Sequence, residues 1–237
     1  MAKTDRIDFI SAYCDRWCER CGFTERCSAF ACQLAIGMCG DTAAGIELAV
    51  GTPEPVNGER PETVGERMLA DYTEPTADEF AALERQEVAR EVRLKQSPLT
   101  GMSRRYGMQA WKWLQQHEEP LSLRNDPVIR EAFEVVAHDA LLIGAKVHRA
   151  LDGRDRRSHK EEDDDEDAIQ NDWNGSAKVA LISLERSGTA WHVLAAALSN
   201  EAAGVMADAA AHLHRTVLSE FPNALLFVRP GFDEPGR

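Results

Sequence analysis

Asp126-Pro127-Val128-Ile129-Arg130-Glu131-Ala132-Phe133-Glu134-Val135-Val136-Ala137-His138-Asp139-Ala140-Leu141-Leu142-Ile143-Gly144-Ala145-Lys146-Val147-His148-Arg149-Ala150-Leu151 is the stretch that decides the fold. Aspartate followed by proline is a helix-start signal: proline lacks an N–H where a helix has no use for one, and its φ is already helical. From Val128 to Leu151 the apolar residues Ile129, Phe133, Val136, Leu142, Ile143 and Val147 spread around most of the helical circumference. A helix of that kind is buried on nearly all sides, so Val128 to Leu151 is the expected centre of an all-α bundle.

Working outward, the start signal recurs at Ser97-Pro98, and Leu99, Met102, Tyr106, Ala110 and Trp113 follow as an apolar stripe at helical spacing. Ala77 to Lys95 reads as a charged amphipathic helix. Downstream, Asn174 or Ser176 is placed to cap a helix running to about Leu198, and Glu201 to Glu220 makes the last one. Gly188 inside that stretch costs up to about 1 kcal/mol relative to alanine, which close helix packing explains better than a ligand's approach. Alternating β-branched runs are nearly absent.

The predicted fold is therefore an all-α helical bundle of six or seven helices, with a cysteine-rich helix–loop–helix at its N-terminus. Residues 1–40 form the cysteine segment, 41–76 a Gly- and Pro-rich loop, 77–220 the bundle and 221–237 an extended tail with Pro222, Pro230 and Pro235. Phe227, Val228 and Phe232 are positioned to tie the tail down. Asp152 to Asp172 carries the acidic run Glu161 to Asp167, most simply a solvated loop. The nearby Asp172-x-Asn174-Gly175 fails the calcium-loop pattern, with Gln170 at the first ligand position and Leu181 in place of the bidentate glutamate.

The main chemical signal lies elsewhere. Four of the six cysteines fall in Cys14-Asp15-Arg16-Trp17-Cys18-Glu19-Arg20-Cys21-Gly22-Phe23-Thr24-Glu25-Arg26-Cys27, spaced C-x3-C-x2-C-x5-C. On a helix over Ile7 to Cys21, Cys14, Cys18 and Cys21 would lie at roughly 0°, 40° and −20° on one face. Gly22 suits a left-handed helix end, and a short loop returns Cys27 to the other three. A second helix, Arg26 to Cys39, carries Cys32 and Cys39 as core residues.

Structural zinc commonly takes two knuckles a dozen or more residues apart, whereas iron–sulfur clusters often draw several ligands from one compact run. The spacing points to a [4Fe–4S] cluster held by Cys14, Cys18, Cys21 and Cys27, with zinc as the alternative. The competing structural reading is that Ile7, Ile10, Cys14, Cys18 and Cys21 are one apolar helix face.

The C-x2-C-x5-C part of this window resembles the terminal cluster loop of the endonuclease III and MutY glycosylases. That resemblance implies a possible [4Fe–4S] site and, without their helix-hairpin-helix, no glycosylase activity. The window also resembles parts of bacterial helical proteins without an assigned activity, as do the stretches Asn174 to Ile182 and Phe227 to Glu234.

The 237 residues suffice for a substantial core, and 43% hydrophobic content is ordinary for a soluble protein. The charged segment after Met1 lacks a signal-peptide apolar region, and no apolar run approaches the length of a membrane span. A cytoplasmic location is expected, where cysteines favour metal over disulfides. A net charge of −13 opposes nucleic acid as a partner. An unknown protein or redox partner is expected instead. Arg16, Arg20 and Arg26 would offset the negative charge of a cluster.

A second metal site is conceivable where acids and histidines recur at helical spacing: Glu131, Glu134 and His138; Lys178, Glu185 and His192; Asp208 and His212. Glu134, His138, Glu185, His192, Asp208 and His212 are its candidate ligands. The chain has no Glu-x-x-His, which a di-iron bundle requires. Nucleophile elbow, P-loop, dinucleotide fingerprint and H-E-x-x-H are also missing, so no catalytic residue is assigned. Three function classes follow: a metal-cluster protein with a redox, sensing or structural role, a helical interaction module with zinc or no metal, and a di-metal oxidase.

Overall fold

The computed structural model describes residues 5–51, 73–122, 126–159 and 167–233. Among these the chain is all-α, with seven α-helices and no strand. They are α1 (Ser28–Cys39), α2 (Thr42–Val50), α3 (Ala77–Gln96), α4 (Pro98–Ser122), α5 (Pro127–Ser158), α6 (Asp172–Leu198) and α7 (Glu201–Glu220). The acidic run Glu161 to Glu166 lies outside the described residues.

The chain divides into two compact units. Among the described residues, one holds 5–12, 16–51 and 73–88, the other 13–15, 89–122, 126–159 and 167–233.

In the second unit α4 packs on α5, α5 on α6, α6 on α7, and α7 returns to α4, closing a four-helix arrangement. α5 begins where the Asp126-Pro127 signal places it: Asp126 Oδ1 accepts the amides of Val128 and Ile129 at 2.9 and 3.3 Å. The helix is central as expected, burying Ile129, Val136, Ile143 and Val147 among others. It runs on to Ser158, past the expected end at Leu151, because the charged last turns find partners. Arg154 pairs with Glu220 at 3.0 Å and Arg93 with Asp155 at 2.7 Å.

α6 starts earlier than expected. Asn171, not Asn174 or Ser176, is its cap, accepting the Asn174 amide at 2.9 Å. Asn174 is itself buried and donates to the carbonyls of Ala168 and Ile169. At Gly188 an added Cβ would meet Ala210 Cβ of α7 at 3.7 Å, an ordinary van der Waals contact, so the packing there does not demand glycine. The tail after α7 is less extended than predicted. Phe221, Ala224 and Phe227 are buried around a 3-10 turn, while Val228 is exposed.

In the first unit α1 and α2 form a tight pair. A Cβ at Gly45 would fall 2.6 Å from the Ile36 amide nitrogen, so only glycine lets α2 approach this closely. This helix–loop–helix carries Cys27, Cys32 and Cys39, with Gly40 in the left-handed conformation between the helices. α2 occupies part of the stretch predicted as loop, where Asp41 caps it by accepting the Ala44 amide at 2.8 Å.

Candidate metal centre and the Asp15 clamp

The expected helix over Ile7 to Cys21 is not formed. Phe9 and Arg16 take positive φ of 59° and 62°, which no L-residue helix tolerates, and two short 3-10 turns follow, Cys18–Arg20 and Thr24–Arg26. The turns are alike. Each ends on a cysteine with extended backbone, Cys21 returning its amide to the Cys18 carbonyl at 3.2 Å and Cys27 to the Thr24 carbonyl at 3.3 Å.

Each of these two sulfurs also accepts a backbone amide. Phe23 N–H points to Cys21 Sγ at 3.4 Å and Phe30 N–H to Cys27 Sγ at 3.5 Å, the latter capping α1. Around the turns, Ile7 donates its amide to the Arg26 carbonyl at 3.1 Å. Arg26 holds the Asp5 carboxylate at 3.2 Å, and the Arg20 guanidinium stacks 3.9 Å over Trp17.

None of the six cysteines is in a disulfide, and five are half-buried, with Cys39 exposed. Cys18, Cys21 and Cys27 belong to the first unit, whereas Cys14 belongs with Tyr13 and Asp15 to the second. Among the described residues no three His, Cys, Asp or Glu side chains gather into a group able to hold a metal ion. The segment thus presents thiols with amide donors already aimed at two of them, without a ready-made cage.

In the second unit, Tyr13 to Asp15 are bound by α5 and α6. The Tyr13 ring lies 4.6 Å from Phe227, and both press on Gly175, where a Cβ would come within 2.8 Å of Phe227. Arg186 Nη1 donates to Asp15 Oδ2 at 2.7 Å, and His138 Nε2 sits 2.9 Å from the Asp15 carbonyl. The same guanidinium grips Asp139 twice, at 3.0 and 2.5 Å.

Asp139 is fully buried, and burial raises its pKa against the lowering effect of Arg186's hydrogen bonds and charge. Burial acts to lower the Arg186 pKa, but its hydrogen bonds and charge pairing with Asp139 and Asp15 outweigh that and hold it above the ordinary value. Sequence reading missed this network. Its one signal was an aspartate in the middle of an apolar helix, Val135-Val136-Ala137-His138-Asp139-Ala140-Leu141.

A second buried polar group joins three helix turns. Tyr106 OH lies 2.6 Å from Ser187 Oγ and accepts the Trp191 indole N–H at 3.0 Å. Burial, the largest influence, pushes the Tyr106 pKa up to about 12.

The candidate ligands of a bundle metal site are not brought together. Glu131, Glu134, Glu185, His192, Asp208 and His212 are exposed, and His138 is engaged with Asp15. Lys178 serves the tail, donating to the Phe227 carbonyl at 2.6 Å and pairing with Asp233 at 2.7 Å. His117, which had no evident partner in sequence, stacks on Trp113 and bonds to Asn200 at 3.2 Å.

Among the described residues no helix is long and apolar enough to cross a membrane. Compared with known proteins, the chain matches no family model, no curated protein and no solved structure.

Proposed function

We propose that this is a metal-binding helical protein whose Cys14, Cys18, Cys21 and Cys27 hold a cluster, [4Fe–4S] ahead of zinc, in a redox, sensing or structural role. The observation that carries the reading is the pair of like turns in which Cys21 and Cys27 each receive a backbone N–H at sulfur. Amide donors of this kind stabilise thiolate ligands and tune a cluster. The compact spacing and the unbridged thiols support it further. Because the thiols are not gathered as they stand, binding is coupled to closure of the segment, as is common where metal and fold form together.

The test is anaerobic purification followed by metal analysis and a visible spectrum. Iron with labile sulfide and broad absorption supports the cluster. Stoichiometric zinc in a colourless protein supports the structural-zinc alternative. Protein purified anaerobically, or reconstituted with iron and sulfide or with zinc, that retains neither metal ends the proposal.

The exposed apolar side chains Met108, Trp111 and Leu141 favour a second reading, a helical interaction module. The di-metal oxidase reading would need Glu134, His138, Glu185, His192, Asp208 and His212, of which all but the half-buried His138 are exposed.

A further inference from the structure

Between α4 and α5 runs an open groove of about 430 Å³, within the range of small-molecule sites. Two glycines make it. At Gly107 a Cβ would lie 2.7 Å from the Ala140 carbonyl, so α4 rests directly on the α5 backbone there. At Gly144 a Cβ would meet nothing within 4 Å, and the missing side chain leaves the trough open.

The two helices are packed neighbours joined by only the four residues 123–126, and are therefore antiparallel. The start of α4 consequently shares one end of the groove with the later part of α5, and the ends differ in chemistry. One end is apolar and exposed, with Met108 at 62%, Trp111 at 49% and Leu141 at 68% of full exposure. The other carries Thr100, Arg104 and His148. Thr100 Oγ1 has no hydrogen-bond partner.

Charge identifies what fits. In this acidic chain, Arg93, Arg149, Arg154, Arg156, Arg186 and Arg229 are each held by a carboxylate. Arg104 and His148 make no hydrogen bond or ion pair with any described residue. A cation and an imidazole left at the polar end of an apolar trough complement a ligand with one anionic head and one hydrocarbon tail. From Arg104 to Trp111 the helix advances about 10 Å, the scale of a medium-chain acyl group.

We propose that the groove binds a free amphiphile with a single carboxylate head and a medium acyl tail, the head at Arg104 and His148 and the tail along Gly144 to Met108, Trp111 and Leu141. Burying the tail supplies the affinity, and the charge-assisted bond to Arg104 selects the head.

The test titrates the full chain with decanoate, decanol and decyltrimethylammonium below their micelle concentrations, read by calorimetry and tryptophan fluorescence. Decanoate is expected to bind one per chain, decanol about tenfold more weakly, and the cationic analogue not measurably. Arg104→Gln should bring decanoate down to the decanol level. Gly144→Leu, which fills open space and leaves the helical circular-dichroism spectrum unchanged, should abolish binding of both. Trp111→Phe should remove the fluorescence response while calorimetric binding persists.

Equal affinity for decanoate and decanol in the wild type overturns the proposal, as does decanoate binding unchanged in Arg104→Gln or Gly144→Leu. So does a dimer that Gly144→Leu converts to monomer, since a second copy would then be the occupant.

Discussion

Arg186 on α6 holds the fully buried Asp139 of α5 through two nitrogens and uses a third for Asp15. One guanidinium thereby joins the two central helices to the segment that opens the cysteine window. Removing one partner of a buried pair strands the other, whereas removing both leaves no orphan charge. Arg186→Met should therefore destabilise the protein by about 3 kcal/mol or more, and Asp139→Leu with Arg186→Met should recover much of that loss. Denaturant unfolding of the single and double variants measures it. Losses below about 1 kcal/mol in the single variant would show that the pair is not energetically buried.

The six cysteines separate ligand from packing residue. Ser substitution at Cys14, Cys18, Cys21 or Cys27 should each lower bound metal and the thermal midpoint, because metal binding and closure of this segment are coupled. Cys32→Ser should retain metal with a modest cost for placing a hydroxyl at a half-buried position, and Cys39→Ser should retain it with no such cost, because Cys39 is exposed and not, as expected, in the core. His192→Ala and His212→Ala, both at exposed positions, should retain it fully. Side-by-side iron and zinc analysis decides, and identical behaviour of all six cysteine variants would refute the assignment.

Tyr106 makes a prediction about proton binding. Its hydroxyl is buried between Ser187 and Trp191, so Tyr106→Phe leaves the Trp191 N–H without an acceptor and should cost about 1 to 2 kcal/mol. In the native protein Tyr106 should ionise at about 12, later than an exposed phenol. Spectrophotometric titration of wild type and variant checks this: the variant should lack the latest-titrating tyrosine.

Asp233 predicts how acid acts on the C-terminal segment. Burial pushes its pKa up, but Arg229 and Lys178 outweigh burial and hold it below the ordinary 3.8. A depressed folded pKa means the unfolded chain takes up the proton first as pH falls, so the contribution is full above the unfolded value and lost below it. Asp233→Asn should be less stable than wild type by about 2 kcal/mol at neutral pH, a gap that closes progressively below about pH 4. Thermal midpoints across that range provide the measurement; a gap independent of pH would contradict the ion pairs.

The helical class and the placement of most of the bundle were legible in the chain because local signals decide them. Pro98 and Pro127 start helices at prolines, and the apolar pattern of Val128 to Leu151 packs that helix into the bundle, burying Ile129, Val136, Ile143 and Val147 while Val128 and Leu141 stay exposed. The cysteine segment was not legible in the same way. Its stripe from Ile7 to Cys21 has helical periodicity, yet anchoring Tyr13 against Phe227 and Asp15 to Arg186 accompanies a left-handed Arg16 and turns instead of a helix. The Phe227 and Arg186 partners lie more than 170 residues away in the chain. Periodicity reports which residues share a face if a helix forms, while the free energy of distant contacts decides whether it does. For the same reason Asp139 read as one more polar residue on a helix, and only the packing of α5 against α6 revealed it as a buried charge that needs Arg186.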